Sequence, residues 1–202
     1  MNQDPPVPDP PHSGESQPDL APRPASASAA VLSQVMEIEH ANNAGNVHGG
    51  HILRMVDATA SISAIKHSRR RVVTAAIDEM SFLAPVHIGD VVTVRAMVND
   101  VHRSSMEVGV RVDVETLPEG ERRHVATAHL VFVALDAEGR PTPVSPIVAE
   151  TPAERVRQTQ ARVRREQRLL RKAALEEVGS DVTAGTEDRA GSEEADAGGG
   201  GK

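Results

Sequence analysis

Between residues 51 and 135 the chain reads as one apolar helix followed by four strand-like runs, with no second helix among them. That order constrains the fold more than any other feature of the sequence. In the helical stretch, 51–67 (HILRMVDATASISAIKH), Ile52, Met55, Val56, Thr59, Ala60 and Ser63 recur at helical spacing. Leu53, Ile62 and Ala64 make it apolar around most of its girth, and a helix of that kind is buried on several sides. The runs at 71–80, 91–101, 106–117 and 123–135 follow. In the third, Met106, Val108, Val110, Val112 and Val114 share one face, while Glu107, Arg111, Asp113 and Glu115 share the other. The fourth is apolar on both faces, as a central strand is. Turn signals separate the runs: Pro85 with Gly89-Asp90, Pro118-Glu119-Gly120, and Asp136 to Gly139. A further run at 31–39 supplies a first strand. The simplest packing is α+β: a curved antiparallel sheet wraps one long central helix, and its outer face stays free for another copy.

This folded part is expected to span 31–151. Residues 1–30 hold eight prolines among Ser and Ala and are expected to lack structure. Residues 152–176 carry eight basic and three acidic groups and read as a C-terminal surface helix docked on one narrow stripe. Its apolar positions, Val156, Val163, Leu169, Leu170 and Ala174, are sparse. A sharper reading gives its arginines an anionic ligand such as the phosphates of coenzyme A. The tail, 177–202, has seven acidic and two basic groups, ends in Gly198–Gly201 and Lys202, and is also expected to be disordered.

Composition removes several functions. With no Cys there is no disulfide, thiolate metal site or cysteine nucleophile. Two Phe, no Tyr, no Trp and a net charge of −7 argue against nucleic acid as a partner. No apolar run is long enough to cross a bilayer, and the N-terminal residues do not read as a secretion signal, so a cytoplasmic protein is expected. Nine His invite a metal, but His40, His48 and His51 form no HExxH pattern and have no adjacent acidic ligand. No GxSxG elbow is present.

The chemistry concentrates in 40–57, HANNAGNVHGGHILRMVD. Gly49 and Gly50 stand where the helix begins, and the first N–H groups of a helix have no internal partner. A thioester carbonyl placed there would be polarised, and the oxyanion formed on attack would be held more strongly still. A plain N-terminal turn explains the same glycines, and His48 just before them packs or bonds in that turn. Asp57 lies about two turns into the helix. It is either a general base or nucleophile, or one partner of Arg54 in a polar stripe with His51 and Ser61. Asn42, fifteen positions earlier, either satisfies its own loop or orients water. Arg103, Ser104 and Ser105 make a turn able to bind phosphate oxygens or merely to join two strands. Arg69, Arg70 and Arg71 read as a solvated cluster.

NNAGNVHGGHILRMVD, then RRVVTAAIDEMSFLAPVHIGDVV, then HRSSMEVGVRVDVE resemble the hotdog-fold acyl-CoA thioesterases of the cytosolic acyl-CoA hydrolase type, over about residues 31–135. The resemblance implies a hotdog fold that hydrolyses acyl-CoA to a free acid and CoA. It implies catalytic residues Asn42 and Asp57 drawn from two subunits, and Gly49 and Gly50, with His48, holding the thioester. It places Arg103, Ser104 and Ser105 near the coenzyme A moiety. It also implies homodimers, commonly gathered as trimers of dimers, with no metal or redox cofactor, coenzyme A being part of the substrate. His40 departs from the pattern, since many relatives carry an acid there. Two alternatives stand beside this reading: a hotdog hydratase or dehydratase using His48 with Asp57, and a non-catalytic acyl-CoA-sensing module.

Overall fold

The computed structural model describes the backbone of residues 20–194 and the side chains of residues 20–178. Its elements run β1 (Arg23–Pro24), β2 (Ala30–Val35), α1 (Gly49–Ser68), β3 (Arg71–Phe82), β4 (Val91–His102), β5 (Ser105–Thr116), β6 (Glu121–Leu135), β7 (Ile147–Val148) and α2 (Pro152–Glu194), with short 3-10 turns at Ala25–Ser28 and Ile38–His40. Five strands form one antiparallel sheet in the order β2-β4-β5-β6-β3. Irregularities in β3 at Thr74/Ala76 and Ile77/Glu79, and between β4 and β5 at Val98/Asp100, bend the sheet. It curves around α1, which is the expected hotdog arrangement.

The alternation read in β5 holds: Met106, Val108, Val110, Val112 and Val114 are all buried toward α1. They meet Val92, Val94 and Val98 of β4 and Ala126, Ala128, Leu130 and Phe132 of β6 in one core. Small residues on α1, Thr59, Ala60, Ser63 and Ala64, let the helix approach this valine-rich surface closely. Each fully buried valine or leucine contributes about 1.5–3 kcal/mol. The helix is less enclosed than its composition suggests: Ile62 is 50% exposed and Ile65 45%.

Four features differ from the sequence reading. Residues 20–30 are not featureless: β1 pairs in parallel with β7, and Ala25 and Ser28 are buried. Residues 1–19, the rest of the expected head, lie outside the described residues. The first strand stops at Val35 because Glu37 N–H donates to His40 Nδ1 (2.9 Å) and closes a 3-10 turn. Helix α2 runs through the boundary at 176 to Glu194, and only 195–202 of the tail lie outside the described residues. Its start is a capping box on Thr151: Glu154 N–H donates to Thr151 Oγ1 (3.2 Å), and the Glu154 carboxylate accepts from Thr151 N–H (3.0 Å), with Pro152 at the first helical position.

The fourth difference concerns the outer face of the sheet, expected to be free. Helix α2 crosses it. Arg164 donates twice to Glu107 (2.6 and 3.2 Å), Arg168 pairs with Asp78, and Gln158 donates to Asp100 (2.9 Å). Among the described residues of the helix Ala161 is the one buried apolar contact, while Val156, Val163, Leu169 and Leu170 face solvent. The stripe is therefore polar, because the sheet presents carboxylates and Glu107 is only 7% exposed. Gly109 makes room for this network. A Cβ there would meet Asn99 Nδ2 at 2.5 Å, and Asn99 instead folds over it to donate to Glu107 (3.2 Å). With Arg164 and Arg168 paired in this way, they are not free for coenzyme A phosphates.

Candidate active site

The segment before α1 is held in shape by its own polar groups. Asn42 Oδ1 accepts from Ala44 N–H (2.9 Å) and Asn46 N–H (3.2 Å), so its carbonyl oxygen holds the loop while its amide nitrogen has no partner among the described residues. Gly45 sits at φ 80°, a conformation glycine adopts without strain. His48 caps the helix: its Nδ1 accepts from Gly50 N–H (2.9 Å). That bond separates the two glycines of the sequence reading. The Gly50 amide is engaged, whereas Gly49 N–H has no acceptor among the described residues. Gly49 and Asn42 line one cleft of about 420 Å³, whose apolar walls include Ile52, Phe82 and Leu83.

His40 and His51 stack beside this loop with ring centroids 3.9 Å apart. His51 Nε2 is buried without a hydrogen-bond partner among the described residues. Burial is the main reason this imidazole is held below its ordinary pKa, with His40 and Arg54 adding to the effect. Arg54 lies 3.4 Å from His51 Nδ1 rather than pairing with Asp57.

Asp57 is half-buried and its Oδ1 accepts from Thr74 Oγ1 (2.8 Å). Thr74, on edge strand β3, did not figure in the sequence reading; only the register of β3 against the helix brings it to the carboxylate. Eight residues separate Asp57 from Gly49, about 12 Å along the helix axis. Asp57 does not line the Asn42 cleft. One chain thus keeps the open amide and Asn42 at one place and the carboxylate at another.

The Arg103–Ser105 turn belongs with Asp57. Ser105 pairs with Val133, which pairs with Val73, one residue from Thr74. The turn and the carboxylate therefore share one end of the sheet, two strands or roughly 10 Å apart. Val144 N–H donates to Arg103 O and Ala134 N–H to Ser104 O (both 2.9 Å), which pins the turn's backbone. Arg103 has φ 25° and an exposed side chain. Among the described residues there is no group of three His, Asp or Glu arranged to hold a metal ion, and no helix is long and apolar enough to cross a membrane.

The profile of the thioesterase superfamily matches residues 44–120. The solved acyl-CoA hydrolase of Bacillus cereus is 38% identical and superposes with a TM-score of 0.74 over 79% of this chain and 97% of that one. The chain belongs to the thioesterase superfamily. An acyl-CoA thioester hydrolase of Bacillus subtilis is 46% identical over 113 residues, 56% of this chain and 66% of the relative. Against mammalian members of this superfamily the chain spans about a quarter to a third of their length. The Staphylococcus aureus acyl-CoA hydrolase, solved with butyryl-coenzyme A and coenzyme A, is 30% identical with a TM-score of 0.73, covering 80% of this chain and 98% of that one. Three of its variants have also been solved, with an Asn, an Asp or a Thr replaced by Ala. In that protein the Asn precedes the Asp by fifteen positions, and the Asp precedes the Thr by seventeen.

Proposed function

We propose that this protein hydrolyses acyl-coenzyme A thioesters at a site shared between two copies of the chain. The observation that carries the reading is the split within one chain: Asn42 and the open Gly49 N–H on one cleft, Asp57 with Thr74 away from it. Asn42, Asp57 and Thr74 have the same fifteen- and seventeen-residue spacing as the three positions replaced in the S. aureus hydrolase. A two-fold pairing is the economical way to unite the halves, since it builds two equivalent sites at once. The surface for it is at hand. Among the described residues edge strand β3 has a free side and exposes Val73 and Ile77, and α1 exposes Ile62 and Ile65 nearby. Hexameric structures among the similar acyl-CoA thioesterases favour assembly of such pairs into a trimer of dimers.

The chemistry follows from the groups present. Gly49 N–H, at the positive end of α1, receives the thioester carbonyl oxygen. Asn42's amide orients a water. Asp57, fixed by Thr74, removes a proton from that water as its oxygen bonds to the carbonyl carbon. The tetrahedral oxyanion collapses, the carbon–sulfur bond breaks, and the proton taken by Asp57 passes to the departing thiolate. Products are the free acid and coenzyme A. Direct attack by Asp57 gives the same products through an anhydride that water then opens. The exposed Arg103, with Ser104 and Ser105, holds a coenzyme A phosphate at the Asp57 end. The residues named need no metal or redox cofactor, and a cytoplasmic location fits the substrate. A hydratase using His48 is disfavoured because His48 Nδ1 is engaged by Gly50.

Release of free thiol from acetyl-, butyryl- and hexanoyl-coenzyme A tests the reading. Wild type turns over at least one of them, and Asp57→Ala does not. A wild-type protein that binds coenzyme A yet releases no thiol overturns it.

A further inference from the structure

Phe82 is one of two phenylalanines in the chain, and the two are placed in opposite ways. Phe132 is fully buried in the core, whereas Phe82 is 52% exposed at the end of β3, with Leu83 beside it 62% exposed. The Phe82 ring stands against the Cα of Gly49: a Cβ built there would reach Phe82 Cζ at 3.5 Å. The cleft beside it continues past Ile52, Val47 and Val86, all buried, and among the described residues no charged side chain lines it. Among the described residues its polar side chains are Asn42 and Asn46, and Gly49 lines it with them.

Resting on the thioesterase reading, we infer that Phe82 and Leu83 determine acyl specificity: the chain leaving the carbonyl held at Gly49 packs on the Phe82 ring and enters the uncharged cleft. The substrate class is then the thioesters of aliphatic monocarboxylic acids. An acyl group with a terminal carboxylate would bring an unpartnered charge against Ile52, Val47 and Val86, which burial disfavours strongly. Each methylene laid on the ring and cleft wall is removed from water, and about 0.8 kcal/mol per methylene corresponds to about fourfold in kcat/KM. Buried Val47 and Ile52 close the floor, so the gain ends once the cleft is filled.

The test is a series of kcat/KM values for acetyl-, butyryl-, hexanoyl- and succinyl-coenzyme A, with wild type, Phe82→Ala and Phe82→Trp, and with oligomeric size checked by light scattering. The wild-type hexanoyl-to-acetyl ratio should fall by about tenfold in Phe82→Ala as the packing surface is lost. In Phe82→Trp, where a larger ring narrows the mouth, the optimum should move to a shorter chain, and this variant carries the test if Phe82→Ala fails to assemble. Wild type should strongly prefer butyryl- over succinyl-coenzyme A. An active wild type whose chain-length profile neither variant alters, or one that accepts succinyl- as well as butyryl-coenzyme A, overturns the inference and leaves the thioesterase reading standing. A wild type inactive on every thioester removes that reading itself.

Discussion

On the outer face of the sheet Glu107, Asp78 and Asp100 each meet a side chain of α2, and Glu107 also accepts from Asn99. On the α1 side Asp57 has one hydroxyl partner, and Gly49 N–H has none among the described residues. The outer carboxylates are satisfied by Arg164, Arg168 and Gln158 and hold a helix in place. The inner one is half-buried and retains oxygen lone pairs to accept a proton. On the proposed reading, carboxylates in one small domain take structural or chemical roles according to how completely their neighbours satisfy them.

Paired substitutions sharpen that contrast. Asp57→Ala should lower the rate of thiol release on the order of 10²–10⁴-fold while thermal melting changes little. Glu107→Ala should do the reverse. It leaves Arg164 and Asn99 without their acceptor in a mostly buried place, costing about 3 kcal/mol and lowering the melting temperature by roughly 10 °C, with kcat nearly unchanged. If Glu107→Ala abolishes turnover in protein that is still folded, the two faces are not separable as argued. Thr74→Ala removes one hydrogen bond from Asp57 and should lower kcat about tenfold, with little effect on KM.

The acid limb of a stability profile gives the smallest effect. Burial, reinforced by Arg164, holds the His129 imidazole below its ordinary pKa, against the pull of Glu107, Glu79 and Asp78. Burial does the same to His67, whose Nε2 lies 2.9 Å from Ser145 O and whose Nδ1 is buried without a partner. Both groups bind protons more readily in the unfolded chain. Their contribution is therefore complete above the unfolded value of about 6.5 and is lost as pH falls below it toward the lower folded values. Thermal melting between pH 7 and 5 should show the melting temperature falling on acidification. A melting temperature flat across this window would mean that neither imidazole is held neutral by folding.

Most of the fold is legible in the sequence because one period governs each element. Met106 to Val114 alternate strictly, and Ile52, Met55, Val56, Thr59 and Ala60 repeat at helical spacing, so β5 and α1 follow from pattern alone. The site is legible in part. Asn42, Gly49 and Asp57 lie in one short segment, but Thr74 reaches Asp57 from another strand, and spacing alone does not reveal a register. That His48 takes the Gly50 N–H and leaves Gly49 open depends on a ring orientation that HGG does not encode. The docking of α2 was obscured for another reason: its exposed Leu170 draws attention as an apolar anchor, while the contacts that matter are charge pairs to sheet residues far away in the chain.

The shared site is the claim on which the chemistry depends, and subunit complementation tests it most directly. Asn42→Ala and Asp57→Ala chains are each prepared inactive, then mixed under conditions where exchange is confirmed by mass. Random pairing makes half the pairs mixed, and each mixed pair rebuilds one of its two sites, so about a quarter of wild-type thiol release should return. Confirmed exchange with no recovered activity would place both residues within a single chain's site and contradict the account.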